Sequence, residues 1–439
     1  MSYVFKAIQL PEPKIQFFQC LPQVNPRNIY KCKPFSYEFF AANASNNEIT
    51  LKVITEADYV EQAGKFIEHL IYGIGKRPYF GFSNIFGVNI DFDINNDIKT
   101  TTSQDLNLIV KEVVDELYGS PSIICIIGSS ELISPNYKSL KAEVIRSFSH
   151  RGVRLQFIRR DTIESFKGQY GYEFILLNIA TAIYAKCGGV PWKLADPTLV
   201  TTGLIIGIAF HRKRSEDKAR IYYGSIQLLD EYGDHLYTRI RMYHFEKGET
   251  EGLYIPYNIM KDIMMDILRN FKKVPLIIVH KSAPFVEDED ARGIRDAIND
   301  VFGNEKPFYA LIHIKRNIIY RGYDLSATDV SIKRGLLLVN QDLNNKHILF
   351  TTGRTNSSRR KLGTPKPLEL YVYENNSPLN ATEISEQVLA LTKLDWNTTE
   401  MEIRSPITLK YSTRAARLAP YLLSESKTDM QIGDIRDLM

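Results

Sequence analysis

Tyr137-Lys138-Ser139-Leu140-Lys141, then Gln156, then Ala185-Lys186-Cys187-Gly188-Gly189-Val190-Pro191-Trp192 decide how the front half of this chain is read. Within about fifty residues they supply one aromatic ring, two ammonium groups and one amide, the groups that hold a terminal phosphate and stack the base beside it. The surrounding apolar pattern alternates. It predicts a strand over 49–54, a helix over 59–74, a strand over 122–127, a helix over 137–150, a strand over 153–159 and a helix over 172–187. Strands alternating with amphipathic helices imply a doubly wound parallel sheet, an α/β fold whose ligands sit at the strands' C-terminal ends.

Tyr137 and Lys141 are four residues apart and share one face of a helix. With that helix beginning at Tyr137, unpaired backbone N–H groups there would add to the pull on an anion. Gln156 falls on the adjoining strand, and Lys186 closes the next helix. Singly, such residues are packing rings, solvated lysines and edge polars; together and in this order they point to one phosphate site.

Charge distribution supports the same reading. The chain of 439 residues carries a net charge of only +4, too mild to argue for nucleic acid alone. Yet residues 137–167 hold eight basic residues against three acidic ones, and Arg354-Thr355-Asn356-Ser357-Ser358-Arg359-Arg360-Lys361 holds four basic residues and no acid. Arg159, Arg160, Arg354, Arg359, Arg360 and Lys361 are the expected contacts to a sugar-phosphate backbone. Two domains are expected from the length. No run of about eighteen apolar residues occurs, so a cytoplasmic protein without membrane insertion is expected. Cys20, Cys32, Cys125 and Cys187 form no CxxC pair, and buried free thiols are expected at all four.

From Gly203 three strands follow, over 203–212, 219–229 and 235–245. A helix over 258–273, a buried strand over 275–280, a helix over 287–302 and a strand over 308–314 come next. An antiparallel meander leading into helix-bracketed strands is the element order of an RNase H-like fold.

These residues together resemble a short prokaryotic Argonaute. Tyr-x-x-x-Lys, a Gln on the next strand, then an Asn and a Lys on the following helix read here as Tyr137, Lys141, Gln156, Asn178 and Lys186. Further matches are Gly203-Leu204-Ile205-Ile206-Gly207-Ile208, Gly363-Thr364-Pro365-Lys366-Pro367-Leu368, Leu391-Thr392-Lys393-Leu394-Asp395-Trp396 and Pro406-Ile407-Thr408-Leu409-Lys410-Tyr411. The resemblance implies a Rossmann-like MID domain over residues 48–194 that binds the guide 5′ end. An RNase H-like PIWI domain over 195–439 follows, and residues 1–47 pack on this body. It also implies one Mg²⁺ at the guide phosphate, held by Gln156 and the C-terminal carboxylate of Met439.

Cleaving relatives hold two metal ions with carboxylates, because attack on a phosphodiester needs charge neutralised at both the attacking and leaving oxygens. The corresponding positions here are Ala209, Ser282 and Thr413. No catalytic metal is therefore expected. Glu287-Asp288-Glu289-Asp290 is the acidic run able to substitute; a helix-dipole role in a first turn is the simpler account. Glu216, Asp217 and Asp230 read as turn residues, and Glu249 and Glu251 fall in the stretch of a glutamate finger.

The leading expectation is a guide-dependent binding protein that pairs a 5′-phosphorylated guide, RNA by family habit, with a complementary DNA target and does not cut it. The resemblance then implies a separate effector, or a partner with an APAZ-like region, in defence against plasmids or viruses. A metal-dependent nuclease with relocated acids and a scaffold binding no guide are the alternatives.

Overall fold

The computed structural model describes residues 5–37, 48–117, 121–148, 151–165, 171–199, 201–214, 220–245, 252–271, 273–340, 345–355 and 364–439. The chain divides into two compact units: residues 15–193, 396–400 and 436–439 form one, and residues 1–14, 194–395 and 401–435 the other. The expected segment 1–47 is thus split between them, and the expected PIWI span gives up two short pieces to the first unit.

The first unit is built on a parallel sheet. Glu48–Thr55, Ser122–Gly128 and Val153–Arg159 lie side by side, and the outer edge of Glu48–Thr55 is shared by two short strands, Asn89–Asp91 and Ile98–Thr100. All seven residues of Ser122–Gly128 are buried, which a central parallel strand covered on both faces requires. Helices Val60–Tyr72, Leu106–Asp115, Ser130–Glu143 and Tyr172–Lys186 connect the strands.

One helix differs from expectation. It runs from Ser130 to Glu143, beginning seven residues before Tyr137, because Ser129 caps it by accepting from Leu132 N at 3.2 Å. Pro135 does not end it. Instead it sits inside the helix, and the Glu131 carbonyl that it leaves without an amide partner accepts from Ser103 Oγ at 3.4 Å. Tyr137 and Lys141 therefore lie in the second half of the helix, so its N-terminal N–H groups add nothing at these side chains.

The cysteine expectation is also corrected. Cys20 and Cys32 form a disulfide, brought together because Gln19 N donates to Cys32 O at 2.9 Å. Cys125 and Cys187 are buried free thiols, pushed up to about 12 by burial.

The second unit holds a ten-stranded sheet in the order Phe5–Gln9, Leu336–Asn340, Lys346–Leu349, Leu368–Asn375, Phe308–Lys315, Leu276–Lys281, Gly203–Arg214, Arg220–Leu229, His235–Tyr243, Asp429–Ile432. The predicted meander, crossover helices (Tyr257–Arg269 and Arg292–Phe302) and two parallel strands are present. Alternation along Gly203–Arg214 sorts its side chains. Leu204, Ile206 and Ile208 join Met260, Ile263, Ile294 and Ile298 in the core beneath the crossover helices. Gly207 faces the other way, against the Ile407–Leu422 helix, where an added Cβ would lie 2.2 Å from Thr408 O.

The N-terminal strand Phe5–Gln9 pairs antiparallel with Leu336–Asn340, and the segment after it carries Glu12 into a buried charge cluster. Arg334 Nε donates to Glu12 at 2.9 Å, Arg334 Nη2 to Thr392 Oγ1 at 2.8 Å, and Lys393 pairs with the same carboxylate. The Arg334 and Lys393 side chains are 1% and 0% exposed. Burial, with Arg334 adding, lowers the Lys393 ammonium to about 8 in spite of Glu12. A lowered lysine pKa means that the unfolded chain binds more protons between about pH 8 and 10, so stability from this site rises with pH there. Glu12→Ala leaves two buried cations without their carboxylate. Denaturant unfolding is expected to show a loss of roughly 3 kcal/mol, the low end for a broken buried pair, because Glu12 retains some contact with water.

Candidate nucleic-acid interface

In the first unit three elements carry the predicted cradle. The strand Val153–Arg159 presents Gln156, opposite Cys125 in the parallel ladder. The Ser130–Glu143 helix carries Tyr137 and Lys141. The Tyr172–Lys186 helix delivers Lys186 as its last residue, since Gly188, at φ +113°, turns the chain out of the helix.

Lys186 Nζ donates to Gln156 Oε1 at 2.8 Å and to Leu155 O at 2.9 Å. Gln156 Nε2 donates to Phe157 O at 3.1 Å, which fixes which way the amide points. Lys141 Nζ donates to the main-chain oxygen of Met439 and lies 5.7 Å from the centre of the Tyr137 ring, which meets Phe157 edge-on at 4.7 Å. Lys141, Lys186 and Met439 are all less than a tenth exposed. A buried ammonium is stable only against an oxygen or an anion, and here both are held against protein oxygens. Residues 436–439 run across these elements, with Arg154 Nε 2.9 Å from Asp437 Oδ1. Arg154 had been counted only as part of a basic window; nothing in its sequence context signals a buried ion pair with a residue 283 positions away.

The other predicted contacts are placed differently. Asn178 lies eight residues before Lys186, about 12 Å along the helix, and its side-chain oxygen accepts from Thr399 N at 2.8 Å and Thr399 Oγ1 at 2.6 Å. It therefore anchors residues 396–400. Arg159 is exposed at the strand end. Arg160 is matched by Glu56 at 3.4 Å and Asp58 at 3.3 Å. In the second unit Arg354 lies 3.9 Å from Asp324. Arg359, Arg360 and Lys361 lie outside the described residues, as do Glu216, Asp217, Glu249 and Glu251.

Ala209, Ser282 and Thr413 also belong to the second unit. Ser282 N donates to Ile208 O at 3.0 Å, which carries the parallel ladder one residue past the strand and sets Ser282 beside Ala209. Ala209 shares the parity of Gly207, and Ser282 that of His280, whose Nδ1 lies 3.1 Å from Thr408 Oγ1. Both positions therefore face the Ile407–Leu422 helix, which carries Thr413, a residue with a buried hydroxyl lacking a hydrogen-bond partner.

Most of the acidic run 287–290 is engaged elsewhere. Asp290, fully buried, pairs with Lys281, also fully buried, and accepts from Val286 N at 2.9 Å. Burial raises the Asp290 carboxyl and Lys281 opposes that; burial lowers the Lys281 ammonium. Glu289 accepts from Tyr257 N at 2.8 Å, capping the neighbouring helix, and Glu287 pairs with Arg295. Asp230 accepts from Tyr232 N and Asp234 N in its turn. Among the described residues no three His, Cys, Asp or Glu side chains gather to hold a metal.

A parallel-sheet unit with a lysine–glutamine cradle and an RNase H-like mixed sheet together define a class, and the comparisons specify it. The sequence profile of the Piwi domain matches residues 122–424, and the chain belongs to the Piwi domain family. It is 21% identical over 297 residues to a protein argonaute of Cereibacter sphaeroides, a match covering 62% of this chain and 37% of that protein. Among solved structures, Clostridium butyricum Argonaute bound to a guide DNA and a 19-mer target DNA superposes with a TM-score of 0.70 at 18% identity, over 95% of this chain and 53% of that one. Marinitoga piezophila Argonaute in complex with a 5′-hydroxyl guide RNA gives 0.63 at 15% identity, over 95% and 59%. A. aeolicus Argonaute gives 0.65 at 13% identity, over 97% and 55%. The chain thus spans just over half the length of these structures and little more than a third of the curated relative.

The close approach of Gly207 to Thr408 holds the helix bearing Thr413 against the strand bearing Ala209. Gly207→Ala must push the two apart. A stability loss of about 1–3 kcal/mol is expected in denaturant titrations, as for an overpacked core position, whereas Ala209→Gly should cost less.

Proposed function

We propose that this protein anchors the 5′-phosphorylated end of a short guide strand in the Lys141–Gln156–Lys186 cradle and uses it to recognise a complementary target without cutting it. The observation that carries the reading is the pair of nearly buried ammonium groups, from two helices, set against one amide and a main-chain oxygen. Such a site favours a compact anion over water. A terminal phosphate would draw the Lys141 and Lys186 Nζ atoms to its own oxygens, in exchange for part of their present bonding to Met439 and Gln156. Tyr137 would stack on the first base and take it out of pairing.

Gln156 Oε1 and the Met439 main-chain oxygen are hard oxygen donors of the kind Mg²⁺ accepts. They would hold one such ion beside the phosphate, where it would neutralise negative charge. Base pairing would supply the sequence information, while exposed cations such as Arg159 grip the backbone. We take RNA as the guide and DNA as the target.

Absence of cleavage rests on Ala209, Ser282 and Thr413, none of which offers a carboxylate, and on the commitments of Glu287, Glu289 and Asp290 to protein partners. A chain of this kind acts through a separate effector that responds to the guide–target duplex, in defence against plasmids or viruses.

Binding of labelled oligonucleotides that differ only in a 5′-phosphate or 5′-hydroxyl tests the anchor. The phosphorylated strand is expected to bind at least about ten-fold more tightly. That preference should disappear in Lys141→Ala with Lys186→Ala, and it should shrink in EDTA. Equal affinity for the two ends in the native protein rejects the reading. Specific target products in Mg²⁺ or Mn²⁺ that vanish with Glu287→Gln would instead establish a nuclease.

A further inference from the structure

The Cys20–Cys32 bond lies in a stretch with little regular structure of its own. Residues 15–37 hold a two-residue strand, Ile15–Gln16, and two short helical turns, Pro26–Asn28 and Ile29–Cys32. The stretch is fastened at its two ends, and both ends grip the same turn. Phe17, buried, meets the buried Trp192 ring edge-on at 6.1 Å. Phe35 N donates to Pro191 O at 2.9 Å, Ser36 N to Val190 O at 3.2 Å, and Val190 N to Ser36 Oγ at 2.7 Å. Ser36 Oγ also lies 2.9 Å from the Tyr184 hydroxyl. Residues 15–37 thus clasp the turn that follows Lys186 and a side chain of that helix's last turn.

A second observation lies beside the disulfide. Lys33, the residue after Cys32, has φ +59° and ψ 149°, backbone that a residue with a Cβ adopts only when its surroundings impose it. The ties that impose it run to the Cys20 side of the crosslink. Gln19 N donates to Cys32 O at 2.9 Å and Phe18 N to Lys33 O at 3.3 Å. Between this strained residue and the Ser36 contacts stand only Pro34 and Phe35, so a change at Cys32 is passed directly to the turn at 189–191.

The two sulfurs differ in access. Cys20 is partly exposed and Cys32 fully buried. A crosslink open to a thiol on one side is the labile kind. The thiolate of a dithiol attacks Cys20 Sγ, the S–S bond breaks, and Cys32 leaves as a thiolate that takes a proton from water. The second thiol of the reductant then closes to its own disulfide and releases Cys20, which is protonated in turn, so two electrons pass from the dithiol to the protein.

We propose that the Cys20–Cys32 disulfide is a redox latch: its reduction by a dithiol lets Lys33 leave its strained backbone, draws Phe35 and Ser36 off the turn at 189–191 and loosens the end of the helix that carries Lys186. The latch stands whether or not the cradle binds a guide. Its consequence for the guide, a weaker hold on the 5′-phosphate in the reduced chain, rests on the reading given above.

Hydrogen exchange of the full chain, followed by mass spectrometry of peptides covering residues 184–193, tests the latch before and after dithiothreitol. Alkylation in denaturant reports the redox state, and the reduced chain is expected to take up two more labels than the oxidised one. Exchange in 184–193 is expected to quicken about ten-fold on reduction while the Ser122–Gly128 strand stays protected. Cys20→Ser should exchange as the reduced native chain does and ignore dithiothreitol. Ser36→Ala, which keeps the crosslink, should quicken the same peptides without reduction. Equal exchange in the two redox states, equal labelling, quickening by dithiothreitol in Cys20→Ser as well, or loss of protection throughout the unit overturns the proposal. In parallel, the preference for a 5′-phosphorylated over a 5′-hydroxyl oligonucleotide should narrow on reduction. No such preference in either state rejects the guide reading and leaves the exchange result to decide the latch.

Discussion

Burying a cation obliges the chain to bring it an anion or an oxygen, and this protein meets that demand from positions far away in sequence. Lys141 reaches Met439, Arg154 reaches Asp437, and Arg334 and Lys393 both reach Glu12. Each pairing fastens a peripheral segment to a unit whose sheet is otherwise complete. Desolvating either partner alone would be prohibitive, so a segment and its site form together or not at all. In the first unit this places the Met439 oxygen at the cradle itself. Any anion that enters there competes with groups already bound to the two lysines.

How much of this was legible depended on the range of the interaction. Ser122–Gly128 and Leu276–Lys281 announce themselves as runs of aliphatic residues. The meander and its crossover helices follow from local periodicity, and all of these lie within a few residues of where the pattern puts them. The Ser130–Glu143 helix begins seven residues earlier than expected, with Pro135 inside it and Ser103 donating to the carbonyl that the proline leaves free. Phe5–Gln9 could not be recognised as an edge strand, since its partner lies more than three hundred residues away. The Cys20–Cys32 bond was invisible for a related reason: a spacing of twelve residues says nothing until the backbone pairs Gln19 with Cys32.

The candidate site shows the same division. Tyr137, Lys141, Gln156 and Lys186 sit at set intervals on predictable elements, and they contact one another in two pairs, Lys141 with the Tyr137 ring and Lys186 with Gln156. Asn178 met the same pattern, yet its carbonyl went to Thr399, a residue that pattern cannot supply. In the second unit the acids at 287–290 looked available as a run. Their fates diverged with position, one capping another helix, one buried against Lys281 and one held by Arg295.

The allocation of residues 396–400 and 436–439 to the first unit bears on how the protein is made. The ribosome releases residues 15–193 early, with their sheet and helices in hand. The pieces that engage Asn178, Arg154 and Lys141 emerge only after more than two hundred further residues have been synthesised, at about 5–20 per second. The part of the molecule that is translated early is thus completed last, and Lys141 meets the Met439 oxygen only at that point.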